Sequence, residues 1–563
     1  VATLAVAFVC AATPATAQVA LKNIALTASR NDYPAVGGWG YSACWGYVHP
    51  DGREYAVLGT TNGTAIYNVT DPNNVTFVKF IPGLSSSWRE MKSYRTWIYV
   101  VTESATPAGG INPGLQIIRM TDPQNPVLAA TYGVNFNRSH TIQIDTTRAV
   151  LLCNGTNFYN TTTGTTTRTG MRILSLQPNP EAPVEIGSWP APALMPDISY
   201  YIHDCVAFGN RLYASSIYSG TQRIFDFTTP SNPVEIKHWT YPSAYYTHSS
   251  WPDDARDRLY VCDEQNGQTL RVFDISSETS PTLVNQWTSN AQAIAHNPRV
   301  KGTDLWIANY TEGIRALDIY DPTHPVEWGY ADSYLGASGG YNGVWEVYPY
   351  FPSGTVIASD MNTGLYVYRA DKNVGVVYAT VKAGAAPLGD AMLYVAETGD
   401  SVRTGVDGVA PMVEAPGSYT LLVKKFGYQD VSTNVTLNRG YHVSLDVPMI
   451  AKPSGTFSGT VIDAASKIPL ADAEVDLRYT PAQSLTNASG AFDLGSVPLG
   501  SYRLEVRRPG YIPISFIRNI GQSAQTETFQ LVQARFYDPL TTDAGWTVGS
   551  AEDAATSGVW VRV

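Results

Sequence analysis

Charge is scarce in this chain and cysteine scarcer. Only 15% of its 563 residues are charged, and 37 Lys and Arg against 48 Asp and Glu leave a net charge of -11. No basic cluster stands out, which argues against nucleic acid or an anionic membrane surface as the main partner. Five cysteines are too few for a disulfide scaffold at this length. Cys153 and Cys262 fall in equivalent strands of non-adjacent repeats, so Cys44, Cys153, Cys205 and Cys262 read as buried free thiols. No run after the first residues reaches the ~18 apolar residues that a membrane-spanning helix requires. Helical periodicity is missing as well, and so are HExxH, Gly-x-Ser-x-Gly, GxGxxG and P-loop signatures. Ser139-His140 and His203-Asp204 supply triad residue types, but neighbours on a strand point to opposite faces.

What is present is a repeat. An apolar run followed by an Asp-Pro-x-x-Pro type turn appears most clearly at 222–234 (QRIFDFTTPSNPV) and 314–326 (IRALDIYDPTHPV). Weaker copies put Asn68, Arg119, Ser175, Asp226, Asp274, Asp318 and Arg369 at one equivalent position, about every fifty residues. Between copies lie short strands broken by Gly, Asn, Asp and Pro. The fifth unit shows four of them, at 248–251, 258–262, 270–275 and 282–287. Pro falls after the third strand, where its missing N–H costs no ladder bond. Four-stranded units at this period predict a seven-bladed β-propeller over residues 18–371. The seventh unit lacks a fourth strand, and 21–28 (LKNIALTA) is expected to supply it. Thr156 to Thr169 reads as an exposed loop insertion.

The first residues, VATLAVAFVCAATPATA, form an apolar run ending in Ala15, Thr16, Ala17, as a secretory signal and its cleavage site would. Residues 1–17 are therefore expected to be a leader whose own beginning is cut off, and the protein to be secreted or at a bacterial cell surface. After Asp371 the period is lost. Two stretches, 373–450 and 453–532, share one plan: a Pro-Leu before a strand, a small-residue turn, then Pro416 to Tyr419 or Leu499 to Tyr502 leading to Gly427-Tyr428 or Gly510-Tyr511. Alternating strands over about 80 residues predict small β-sandwiches. Residues 533–563 read as the start of a truncated further β segment. The fold class expected is all-β throughout.

Both C-terminal stretches resemble the carboxypeptidase regulatory-like domain, although no zinc-peptidase motif accompanies them. The propeller phrase resembles the LVIVD repeat. Together with 88–94 (WREMKSY), 139–145 (SHTIQID), 202–205 (IHDC) and 340–359, it is similar to the choice-of-anchor B family, over about 22–371. That resemblance implies export and surface association, with anchoring through a missing C-terminal region, and no established reaction.

Aligning first strands puts Ala43, Arg89, His140, His203, His248, His296 and Gly343 at one position, so half of the eight histidines share an equivalent site in four consecutive blades. First strands line a propeller's channel; Glu90 and Asp204 follow directly in theirs, and Asp263-Glu264 ends a second strand, whose outgoing loop opens on the same face as those entering first strands. The candidate ligand-binding residues at the channel mouth are thus Arg89, Glu90, His140, His203, Asp204, His248, Asp263, Glu264 and His296. The four histidines are also the candidate ligands of a divalent metal. The competing reading makes each histidine a hydrogen-bonding peg between strands. Asp226, Asp274 and Asp318 are expected to cap the following turn. Two functions follow: a secreted or surface propeller that binds a protein, polysaccharide or matrix ligand, with the sandwiches as spacers, or a metal-dependent, hydrolase-like enzyme. The 35 Tyr and 13 Trp could stack on sugars. The absence of catalytic motifs favours binding.

Overall fold

Runs such as Tyr55 to Leu58 and Ile224-Phe225 are apolar on both faces, and they become the strands buried on both sides. The outer strands, such as Val234–Trp239, are only partly covered. A computed structural model of the chain describes residues 20–534 apart from 36–37, 106 and 108–109. The expected leader at 1–17 and nearly all of 533–563 lie outside the described residues.

Seven sheets of four antiparallel strands each follow one another along residues 24–370, and one of them gains a fifth strand. Blade five, for example, runs Thr247–Pro252, Arg258–Asp263, Leu270–Asp274 and Thr282–Trp287. In the first six blades the turn after the third strand is closed by the same backbone bond, as from Asn74 to Asp71, Asn232 to Thr229 and His324 to Asp321. The carboxylates of Asp226, Asp274 and Asp318 accept from the N–H two residues on, at 2.8, 2.9 and 3.0 Å. They are turn caps, as expected.

The ring closes through the N-terminal segment, with a shift from the expected bounds. Ile24–Arg30, not 21–28, is the fourth strand of blade seven, paired with Gly364–Ala370. Ala20–Lys22 instead pairs with Val326–Asp332 as an extra strand on blade six. Asn23 breaks the run: its φ is 55°, and its side-chain amide donates to the Trp328 carbonyl at 2.6 Å. One short segment therefore fastens two blades.

The Thr-rich stretch is not a loop insertion. Val150–Asn160 and Thr165–Ser175 form a long hairpin whose tip pairs Asn160 with Thr165. The β-branched threonines suit its extended backbone. The four cysteines among the described residues are free and buried.

The chain divides at Val374/Gly375. In the C-terminal unit, one sandwich has Gly375–Ala383 as its central strand with His442–Pro448 parallel to it. A second repeats this with Ser454–Asp463 and Gln525–Leu531. The two share small details: Tyr419 and Tyr502 each donate to the carbonyl four residues back at 2.8 Å, and Thr404 and Thr486 each donate to the carbonyl of the Leu in the Pro-Leu pair at 2.6 Å. Separate apolar cores fill them, around Leu393, Leu421 and Val423 in the first and Val475, Phe492 and Leu504 in the second.

Candidate functional site

The four equivalent histidines do converge. Their rings form a tilted stack, His140 to His203 to His248 to His296, with successive centroids 4.2, 4.2 and 4.1 Å apart. Backbone geometry sets the stack. The Nδ1 of His203 lies 3.0 Å from the carbonyl oxygen of His248, that of His248 3.2 Å from the carbonyl of His296, and that of His296 2.6 Å from the carbonyl of Trp345. A carbonyl can only accept, so each of these rings carries its proton on Nδ1 and leaves Nε2 as a lone pair. Trp345, not Gly343, is thus the blade-seven equivalent. Neighbouring side chains repeat the link: Ser42 donates to Arg89 O at 3.1 Å and Thr141 to His203 O at 2.6 Å. The peg reading accounts for the Nδ1 atoms of three histidines.

It does not account for their Nε2 atoms. That of His248 stands 3.7 Å from one Glu264 oxygen and that of His296 3.6 Å from the other, too long for hydrogen bonds. The His296 Nε2 is buried without a partner, which ordinarily costs about 1–3 kcal/mol. Burial holds His203 and His248 well below the usual imidazole pKa and His296 down to about 3. Burial also pushes Glu264 up to about 7, against the opposing hydrogen bond from the Tyr310 hydroxyl. The side chains of His248, Glu264 and His296 offer three ligand atoms all within 4.8 Å of one another. His140 differs. Its Nδ1 meets Glu103 Oε1 at 2.6 Å; burial opposes its charging, but Glu103 outweighs this and raises its pKa.

Beneath the rings the channel is filled by charge. Glu90 pairs with Lys92, and Arg299 Nη2 lies 2.5 Å from Glu346 Oε2. Burial raises the Asp204 pKa, with Arg299 and Lys92 opposing. A cavity of about 20 Å³ between the two layers, lined among others by His203, Asp204, His248, His296 and Glu346, has room for about one water-sized occupant.

Two expected site residues are occupied elsewhere. Arg89 lines the same cavity as the histidines, but its buried guanidinium donates to the carbonyls of Thr60 at 3.1 Å and Leu84 at 2.7 Å, so it holds two turns. Asp263 is fully buried, and its carboxylate accepts from the N–H of Tyr245 and Tyr246 and from the Tyr241 hydroxyl. It shapes the loop that carries those tyrosines. Glu90 and Asp204 lie in the channel layer, not among the rings. Sequence reasoning missed Glu103, Tyr310, Lys92, Arg299 and Glu346. Two of them had a signal: Lys92 and Arg299 stand two places after Glu90 and Asn297, on the same face of their strands.

On the same mouth, a cleft of about 830 Å³ opens between the blade-three hairpin and blade four, lined by Glu103, Asn157, Thr166, Arg168, Tyr201 and Tyr218, among others. Gly155 packs against Tyr201, one of the cleft's walls: a Cβ there would stand 2.3 Å from the Tyr201 hydroxyl and 2.9 Å from His140 Cβ. Tyr201, Tyr218, Tyr246 and Tyr245 continue as a chain of ring contacts with centroids 5.0, 6.5 and 5.4 Å apart. Tyr218 and Tyr245 are 55% and 67% exposed.

Residues 456–532 match the carboxypeptidase regulatory-like domain family. The chain is similar to bacillopeptidase F of Bacillus subtilis (strain 168), 29% identical over 143 residues covering 24% of this chain and 10% of that protein. It thus spans about a tenth of the length of that curated relative. Among solved structures, a Lactobacillus plantarum protein is 11% identical with a TM-score of 0.41, covering 63% of this chain and 96% of that one. The WD40 β-propeller domain of Doa1 is 10% identical with a TM-score of 0.42, covering 62% and 98%. A periplasmic gluconolactonase of Pseudomonas aeruginosa is 11% identical with a TM-score of 0.42, covering 67% and 99%. None of the three bears on function. The chain is a β-propeller followed by sandwich-type units, an architecture consistent with an interaction protein.

Proposed function

We propose that this chain is an exported binding protein of the choice-of-anchor B type, whose propeller takes a polysaccharide in the tyrosine-walled cleft while the sandwiches act as spacer and attachment modules. The observation that carries the reading is the combination of exposed Tyr218 with Asn157, Thr166 and Arg168 around one open cleft, continued beyond it by the ring contacts that run through Tyr246 to exposed Tyr245. Sugar rings have apolar faces that stack on aromatics and hydroxyl edges that take hydrogen bonds from polar side chains. A protein partner would ordinarily need a broader patch with a fully buried centre. The apolar leader-like residues 1–17 support export.

Affinity electrophoresis of the intact chain against neutral and acidic polysaccharides tests this. Retardation by at least one polymer, lost in the Tyr218→Ala/Tyr245→Ala variant and kept in His238→Ala, is the expected result. No retardation by any polymer, or retardation unchanged in the double variant, overturns it.

A further inference from the structure

We propose that His248, Glu264 and His296 bind one divalent transition-metal ion of the zinc class, held by the two Nε2 atoms and the carboxylate. The inference rests on four features of the geometry, and it is independent of any ligand in the cleft.

The first is spacing. An ion with bonds of about 2.0 Å places tetrahedral ligand pairs about 3.3 Å apart, and the two Nε2 atoms stand 3.7 and 3.6 Å from the Glu264 oxygens. These distances run to different Glu264 oxygens, and one ligand atom from each residue lies within 4.8 Å of the other two, so side-chain closure of up to about 1.5 Å brings the three to tetrahedral spacing.

The second is the fixed tautomer. Metal-binding imidazoles typically donate their other N–H to a carbonyl or carboxylate, which orients the ring and aims the lone pair. His248 and His296 have this arrangement, with the carbonyls of His296 and Trp345 as acceptors. Glu264 is held in turn by the Tyr310 hydroxyl and by its own N–H, which donates to Tyr246 O at 2.9 Å.

The third is the orphan atom. His296 is only 1% exposed, and its Nε2 has no hydrogen-bond partner. Water–protein or protein–protein bonds normally satisfy such an atom, and an ion would satisfy it together with the His248 Nε2.

The fourth is donor chemistry. Two imidazoles and one carboxylate favour a borderline ion over calcium or magnesium, which prefer oxygen-only shells. Three protein ligands leave one tetrahedral position for solvent or a ligand oxygen. The stack's other members, His140 and His203, stand outside the compact set of three ligand atoms.

The test uses the full chain without a histidine tag, stripped by chelator, exposed to Zn²⁺ or Co²⁺ and dialysed, with metal counted by mass spectrometry. The expected result is one equivalent of zinc per chain, no retention of Ca²⁺ or Mg²⁺, and a strong visible spectrum of tetrahedral Co²⁺. Glu264→Gln and His296→Gln should each lower retained zinc at least tenfold, whereas His140→Ala should retain it. Should His296→Gln fail to fold, as judged by circular dichroism, Glu264→Gln and the Co²⁺ spectrum of the unaltered chain decide the matter. Absence of retained zinc in the unaltered chain, a weak octahedral Co²⁺ spectrum, or zinc lost in His140→Ala but kept in Glu264→Gln overturns the proposal.

Discussion

His203 and His248 sit in neighbouring blades 45 positions apart, and the ring of the first donates to the backbone oxygen of the second at 3.0 Å. Removing the donor leaves a buried carbonyl unpaired, so His203→Ala should lower unfolding free energy by about 1–3 kcal/mol. His238, whose side chain is 60% exposed, should change it by less than about 0.5 kcal/mol when replaced by Ala. Urea denaturation of the two variants makes the comparison. Equal losses would mean that the inter-blade bond has no energetic weight.

Ring closure gives a second expectation. Ala25 faces Arg369, and the Asp371 N–H donates to the Asn23 carbonyl, so the alternation places Ala25 at a hydrogen-bonded position. Ala25→Pro should remove a ladder bond and weaken closure by about 1–3 kcal/mol. Hydrogen exchange is the direct measurement: amides of residues 365–368 should lose protection in Ala25→Pro, while those of blade three should not. Unchanged protection at 365–368 would contradict this closure.

Opposite pKa displacements on adjacent histidines predict a split titration. Burial depresses His203, so its contribution to stability is complete above the ordinary value of 6.5 and declines as the pH falls below it. His140 is raised from 6.5 and Glu103 lowered from 4.5. The His140 contribution is therefore complete below 6.5 and lost as pH rises through its folded value, and that of Glu103 is complete above 4.5 and lost as pH falls through its own. The pair should be worth most between those two values. Nitrogen-15 imidazole spectra of chelated protein should show His140 titrating above 6.5 and His203 remaining neutral well below it, with Glu103→Gln bringing His140 down. A common midpoint for both rings would refute the assignment.

The channel pair Arg299–Glu346 is almost wholly buried, at 4% and 0% side-chain exposure. Arg299→Met should cost about 3–5 kcal/mol because it strands a buried carboxylate. Arg299→Met/Glu346→Leu should recover most of that loss, since the desolvation penalty disappears with both charges. Calorimetry on the single and double variants checks it; a double variant less stable than the single would reverse the conclusion.

Much of the ring was legible because its cause is local. An apolar run followed by a proline turn has to be a strand and a connection wherever it occurs, so blade number and the turn-capping role of Asp226 could be read directly. The clasp was read two to three residues out because Asn23, an ordinary polar residue in sequence, adopts φ 55° and splits the segment. Convergence of the histidines followed from repeat equivalence. Their partners did not, because Glu103 and Tyr310 come from loops after second strands, where length varies between blades and alignment has no period to follow. Arg89 and Asp263 looked like site residues by position alone; nearby backbone groups had already claimed them.

The fastening of the N-terminal segment also sets a clock. Thr27 donates to the carbonyl of Val367, 340 positions later. At synthesis rates of about 5–20 residues per second, the first strand is made on the order of tens of seconds before its partner exists. Throughout that interval the six earlier blades can assemble only as an open arc, with a strand-forming segment free at one end and bare sheet edges exposed to neighbouring chains. A nascent chain of this design has a built-in need for shielding, by a chaperone or by delayed folding, that ends when residues 364–370 emerge.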